Sequence, residues 1–260
     1  MCATCGCAGD GAVVHAHHDH GDGHSHVIPP GDSRTIILQQ KVLAKNDELA
    51  ERNRSFLTNR GAVMVNLMSS PGAGKTTLLE SSAKLLAGTP QVSVIEGDQE
   101  TALDADRIKA AGCAVVQVNT GVGCHLDAEM VAAALGELDP EPGCVVVVEN
   151  VGNLVCPALF DLGESARIVL GSVTEGGDKP LKYPHMFRQA DLVLVTKVDL
   201  LPYVDFDLER YGADVRRLNG RAELLTVSAR TGDGLAAWCE WLTRAAAAGR
   251  GRPLSRPGQG

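Results

Sequence analysis

Ser69-Ser70-Pro71-Gly72-Ala73-Gly74-Lys75-Thr76-Thr77 decides the fold. An apolar run at residues 62–68 leads into it, and a helical segment at 75–87 follows. Glycines between a strand and a helix let successive backbone N–H groups surround a phosphate. The helix N-terminus adds a partial positive charge that favours an anion. The stretch therefore reads as a Walker A loop, with Gly72, Ala73, Gly74, Lys75, Thr76 and Thr77 lining the phosphates. Lys75 is expected to reach the β- and γ-phosphates and Thr76 to ligate Mg²⁺. The pattern ordinarily opens on glycine where this chain has Ser69; Gly72 and Gly74 supply the flexibility nearer the lysine.

Outward from the loop, short apolar runs alternate with helical segments. The runs fall at 91–95, 114–118, 144–149, 166–171, 191–196 and 223–227, and the helical segments at 101–111, 126–137, 207–219 and 234–247. Most runs are apolar throughout, as parallel strands covered on both faces require. The expected fold class is α/β, a doubly wound, mainly parallel sheet. Before it, a helix is expected over 32–60, capped by Asp32 or Ser33 and closed at Gly61. Val42, Leu49 and Phe56 recur every seven residues on that helix, predicting one apolar stripe against the core or a partner subunit. The organisation is then a metal-binding tract at 1–27, a P-loop GTPase domain at 28–248 and a loose tail at 249–260.

Composition bounds the function. The chain has 260 residues, 44% hydrophobic and 22% charged, with a net charge of −8 and 3% aromatics. An acidic balance and few aromatics argue against nucleic acid. No apolar run is long enough to span a bilayer. The first cation is Arg34, so the head lacks the basic region of a secretory signal, and a cytoplasmic location is expected.

Further motifs stand where a GTPase needs them. The run ending at Val148 leads to Glu149, whose carboxylate is expected at the Mg²⁺ site like a Walker B acid. Asp98, beyond run 91–95, either holds Mg²⁺ through water or orients the attacking water. Thr196-Lys197-Val198-Asp199 corresponds to the Asn-Lys-x-Asp guanine motif, with Thr in place of Asn. Asp199 would accept hydrogen bonds from guanine N1 and N2, and adenine would leave it unpaired. The Lys197 stem would pack along the ring, and Ser228-Ala229 would meet guanine O6. No arginine finger is readable, so turnover is expected to be slow.

The metal ligands are concentrated unusually. Six of eight His, namely His15, His17, His18, His20, His24 and His26, lie in one Gly- and Asp-rich stretch. Such a stretch builds no packed core, and its ligand density points to metal buffering. Cys2, Cys5 and Cys7 form a Cys-x-x-Cys-Gly-Cys array, which in a reducing compartment reads as thiolate metal ligands. Cys124, His125 and Cys156 follow the C-terminal ends of neighbouring strands, where α/β folds place their sites. They are expected to share one metal near the γ-phosphate, Zn²⁺ or Ni²⁺ by their chemistry. Cys113, Cys144 and Cys239 read as buried small hydrophobes. His185 reads as a surface or packing residue, and residues 174–179 as a loop able to sense the nucleotide.

With these segments in view, the chain resembles the HypB family of hydrogenase nickel-incorporation GTPases over nearly its whole length. The resemblance rests on Met1 to Cys7, the His tract, the phosphate loop, Glu96-Gly97-Asp98-Gln99 and Gly123-Cys124-His125-Leu126-Asp127-Ala128. It rests also on Glu149 to Pro157, Thr174-Glu175-Gly176 and Asp178 to Pro184. It implies a SIMIBI-class GTPase that forms a homodimer with GTP and Mg²⁺. It further implies delivery of Ni²⁺ to the [NiFe]-hydrogenase large-subunit precursor, with a HypA-type nickel chaperone as partner. It implies a nickel site at the Cys head in some members, and a nickel or zinc site at Cys124, His125 and Cys156. Urease accessory GTPases also move nickel, but the Cys head and the 149–156 segment set this chain apart from them. Nickel storage and zinc-dependent regulation are the remaining alternatives.

Overall fold

The computed structural model describes residues 33–98, 103–121 and 123–249. Cys2, Cys5, Cys7, the six clustered histidines and residues 250–260 lie outside them. Seven strands form one sheet in the order β3-β2-β4-β1-β5-β6-β7, with every neighbouring pair parallel. The strands are β1 (Val63–Ser69), β2 (Val92–Asp98), β3 (Ala114–Asn119), β4 (Val145–Glu149), β5 (Ala166–Ser172), β6 (Leu192–Thr196) and β7 (Glu223–Val227). All seven apolar runs are strands. The five inner strands are buried almost end to end; β3 and β7, at the edges, are covered only in part.

The helices are α1 (Ser33–Asn59), α2 (Lys75–Leu86), α3 (Leu103–Ala110), α4 (Ala128–Leu138), α5 (Lys179–Lys182), α6 (Pro184–Arg188), α7 (Leu208–Leu218) and α8 (Leu235–Gly249). The short α5 and α6 have too few residues for a period to declare itself in sequence. Side chains alternate across β1 because a strand repeats every two residues. Val63, Val65 and Leu67 face a core completed by Leu78 and Leu79 of α2 and by Trp238, Trp241 and Leu242 of α8. Met64 faces the opposite core, with Leu57 of α1, Leu126 just before α4, Val131 and Leu135 within α4, and Phe160. A third cluster joins Met68, Val169 and Val193 to Phe187 of α6 and Tyr211 of α7.

The helix expected at 32–60 is present, and Phe56 of the predicted stripe packs against the core, but the most deeply buried face is a different one. Val42 is 40% exposed, and Leu49 and Phe56 are only half-buried. The helix instead turns Asn46, Ala50, Asn53 and Leu57 inward. Two of those four are polar, so counting apolar residues misplaces the face. Cys113, Cys144 and Cys239 are buried, as expected, and burial pushes each thiol above its ordinary value.

Candidate nucleotide and metal sites

Parallel strands all point their C-terminal ends to one rim of the sheet, and open α/β sheets bind ligands there. β1 is central and delivers the phosphate loop to that rim. Gly72 and Gly74 take left-handed φ values of 75° and 98°, which residues with a Cβ rarely adopt. Lys75 and Thr76 open α2 and are buried. Lys75 Nζ donates to Ser69 Oγ at 3.1 Å, so the serine at the loop's unusual first position holds the lysine. Burial pushes the Lys75 ammonium below its ordinary value, against the pull of Glu149 and other carboxylates nearby.

Thr76 Oγ1 donates to Glu149 Oε1 at 2.8 Å. Glu149 ends β4, beside β1, and its Oε2 is buried with no hydrogen-bond partner. Burial raises its carboxyl above the ordinary value, with Lys75 and Thr76 pulling back. A buried hydroxyl and an orphaned carboxylate oxygen are the donor set that a hard cation such as Mg²⁺ takes.

A second acid stands beside this one. Glu96 lies opposite Glu149 in register on the neighbouring β2. It is also buried, with Oε2 unpartnered. Burial and the Glu149 charge push its carboxyl up to about 8. The sequence motifs assign no role to Glu96, because nothing in the linear order pairs two acids 53 positions apart; strand register does. Asp98 closes β2 at the rim, and its carbonyl accepts from Thr120 N at 2.9 Å and Thr120 Oγ1 at 3.3 Å.

Where the sequence places the guanine motif, Thr196 Oγ1 donates to the Ala73 carbonyl at 2.7 Å, tying β6 to the phosphate loop. Lys197 has a left-handed φ of 60° and donates from Nζ to the Gly72 carbonyl at 2.7 Å. Asp199 Oδ1 accepts from Ser228 Oγ at 2.7 Å, and the carbonyl of Ala229 accepts from Ser81 Oγ of α2 at 3.3 Å. Lys197, Asp199, Ser228 and Ala229 are thus gathered beside the phosphate loop from two different connections. Thr77 is exposed on α2, and its Oγ1 accepts from Arg107 at 3.2 Å. Lys179 of α5 reaches the same loop, with Nζ on Ser70 Oγ at 3.1 Å.

The Cys–His–Cys group lies along the same rim. The ligand atoms of Cys124, His125 and Cys156 all lie within 4.8 Å of one another, and neither cysteine forms a disulfide. The two sulfurs are 2.8 Å apart, and Cys124 Sγ lies 3.7 Å from His125 Nδ1. The His125 ring stacks on Phe160, centroids 4.0 Å apart. Burial lowers the His125 pKa against the pull of Asp127, which favours the neutral imidazole that binds a metal. Two thiols and an imidazole are a donor set for Zn²⁺ or Ni²⁺. Asn150, the residue after Glu149, accepts at Oδ1 from Leu126 N at 3.3 Å. One short segment thus leads from the acid at Thr76 to the backbone beside His125, and on to Cys156. His185 is exposed and touches only Gln189 among the contacts described.

Residues 63–226 match the family described as CobW/HypB/UreG, nucleotide-binding domain. The hydrogenase maturation factor HypB of Rhizobium leguminosarum is 50% identical over 240 residues, which cover 92% of this chain and 79% of that one. The protein of the same name from Escherichia coli K12 is 49% identical, covering 87% and 78%. A crystal structure of HypB from Archaeoglobus fulgidus superposes with a TM-score of 0.74 at 38% identity, covering 78% of this chain and all of that one. One of HypB from Helicobacter pylori, in complex with nickel, gives a TM-score of 0.73 at 36% identity, covering 78% and 96%.

Proposed function

This chain belongs to the HypB family of hydrogenase maturation factors, and from that premise we propose that it is a GTP-hydrolysing nickel chaperone. In this reading it loads Ni²⁺ into the [NiFe]-hydrogenase large-subunit precursor. The observation that carries the proposal is the shared segment. Glu149, hydrogen-bonded to the phosphate-loop threonine, and Cys156, grouped with Cys124 and His125, lie seven residues apart on one connection.

GTP would be held by the backbone of Gly72, Ala73, Gly74 and Thr77, by Lys75, and by Lys197, Asp199, Ser228 and Ala229 around guanine. Asp199 selects the base, since only guanine offers two donors to its carboxylate. Thr76 and Glu149 would hold Mg²⁺, with Asp98 at the edge of its shell. When bound, the ion supplies charge neutralisation at the β- and γ-phosphate oxygens. Lys75 and the loop amides stabilise the charge that develops as water attacks the γ-phosphorus in line, and Asp98 orients that water. No arginine finger is readable in the sequence, so turnover is expected to be slow and the cycle's work to be conformational. GTP favours a homodimer, and hydrolysis resets it. Ni²⁺ is cargo at Cys124, His125 and Cys156, exchanged with a HypA-type chaperone; Zn²⁺ fits the same donors. The Cys2, Cys5 and Cys7 array would form a second site, and the six clustered histidines a buffer. The reaction belongs in the cytoplasm.

The test is nickel transfer to apo-hydrogenase precursor with GTP, compared with a nonhydrolysable analogue. Transfer with GTP alone is the expected result; equal transfer with both would overturn the coupling. Lys75→Ala is expected to lower GTP hydrolysis by at least 100-fold, roughly the loss of a charged transition-state donor. A normal rate would remove Lys75 from catalysis.

A further inference from the structure

Half of the inward face of α1 is polar: Asn46 and Asn53 share it with Ala50 and Leu57. Asn46 and Asn53 are 6% and 3% exposed. Both reach the same two places. Asn46 Nδ2 donates to the Asp161 carbonyl at 2.7 Å, and its Oδ1 accepts from Ala128 N at 2.9 Å. Asn53 Nδ2 donates to the Ala128 carbonyl at 2.9 Å and to the Leu162 carbonyl at 3.0 Å. Ala128 lies three residues beyond His125. Asp161 and Leu162 lie just beyond Phe160, on which the His125 ring stacks, and five to six residues beyond Cys156. Each asparagine therefore bonds the connection that carries Cys124 and His125 and also the one that carries Cys156. Arg54, one residue after Asn53, adds a paired contact to the Asp161 carboxylate at 3.0 and 3.1 Å.

A buried asparagine that did no more than pack would be better replaced by leucine, since a buried amide must find partners for its polar atoms. Here those partners lie on exactly the two backbone segments whose spacing sets the distance between the thiols. We propose that Asn46 and Asn53 are positioning residues for the Cys124–His125–Cys156 metal site. They act as a double clamp through which α1 fixes the separation of the two ligand-bearing connections. The inference rests on the reading of those three residues as a metal site.

The test uses the full chain with Cys2, Cys5 and Cys7 replaced by Ser, so that thiolate-to-nickel charge-transfer absorption reports only Cys124 and Cys156. Ni²⁺ is titrated against a chelator of known affinity, and GDP binding is measured on the same samples. Asn53→Ala, which removes a bond to each connection, is expected to weaken nickel binding roughly 10–100-fold and to shift the charge-transfer band, with GDP affinity unchanged. Asn46→Asp keeps the acceptor for Ala128 N but sets a carboxylate oxygen against the Asp161 carbonyl in place of the donor, and is expected to weaken binding as well. A folded Asn53→Ala or Asn46→Asp protein with wild-type nickel affinity and an unshifted band overturns the clamp; should Asn53→Ala not fold, Asn46→Asp decides. Cys156→Ala separates the two readings. If it leaves the band intact, the metal site itself is wrong and the clamp falls with it. If it abolishes the band while the asparagine variants do nothing, only the clamp fails.

Discussion

Thr196 stands where guanine-binding loops carry asparagine, and its hydroxyl still ties β6 to the Ala73 carbonyl. A hydroxyl on a short side chain makes one such bond, which is all that this geometry asks of it. Thr196→Ala leaves a buried carbonyl without its donor, at a cost of about 1–2 kcal/mol. GDP affinity is expected to fall about tenfold, read by titration with a fluorescent nucleotide, while Thr196→Ser retains it. Glu96 shows the other kind of residue-scale effect. Its carboxyl is raised in the folded protein from an ordinary 4.5 to about 8 by burial first and by Glu149 second. A raised acid stabilises the fold below its unfolded value, and that stabilisation is lost as pH climbs through the folded value. The nucleotide-free protein is thus expected to lose thermal stability between about pH 4.5 and pH 8, and Glu96→Gln to flatten that slope. Equal slopes in thermal melts of the two proteins would rule Glu96 out as the source.

At the scale of elements, the connection after β4 presses directly on the phosphate loop. A Cβ on Gly152 would lie 2.9 Å from Cα, Cγ and N of Pro71, closer than real side chains come. Two of those three are backbone atoms, so the loop must yield. Overpacking of this kind costs about 1–3 kcal/mol. Gly152→Ala is therefore expected to weaken nucleotide binding about tenfold or more, by calorimetry, with the overall circular dichroism unchanged. The same connection shows how far elements were legible. All seven strands were readable, because an inner parallel strand is apolar on both faces and little else in a chain looks like that. The strand–loop–helix context of residues 69–77 and the grouping of Cys124, His125 and Cys156 were legible because side-chain type and spacing mark them. The inward face of α1 was not, because Asn46 and Asn53 are polar and their partners are backbone groups some 75 to 115 positions away. Glu96 was missed for a related reason: only the register of β2 against β4 sets it beside Glu149.

The proposed nucleotide crevice is drawn from the whole molecule: the phosphate loop at 69–77, the ends of β2 and β4, and the loops at 196–199 and 228–229. Each is held by bonds within the described residues: Lys75 to Ser69, Thr76 to Glu149, Thr196 to Ala73, Asp199 to Ser228. Among the described residues, Cys124, His125 and Cys156 group together as a set of possible metal ligands. If the Cys and His tract serves as a separate buffer, neither proposed site depends on it. Removing residues 2–26 is expected to lower the nickel bound per chain, by equilibrium dialysis, toward the single thiolate site at Cys124 and Cys156. Hydrolysis of GTP should continue at the full-length rate, because no group that holds the nucleotide is lost. A fall of more than severalfold in hydrolysis would mean that the tract reaches the crevice. Retention of all bound nickel would mean that the clustered histidines hold none. Hydrogenase maturation in cells then separates two uses of the tract. Normal maturation with little bound nickel would make it a store, and maturation that fails when nickel is scarce would make it the entry point for the cargo.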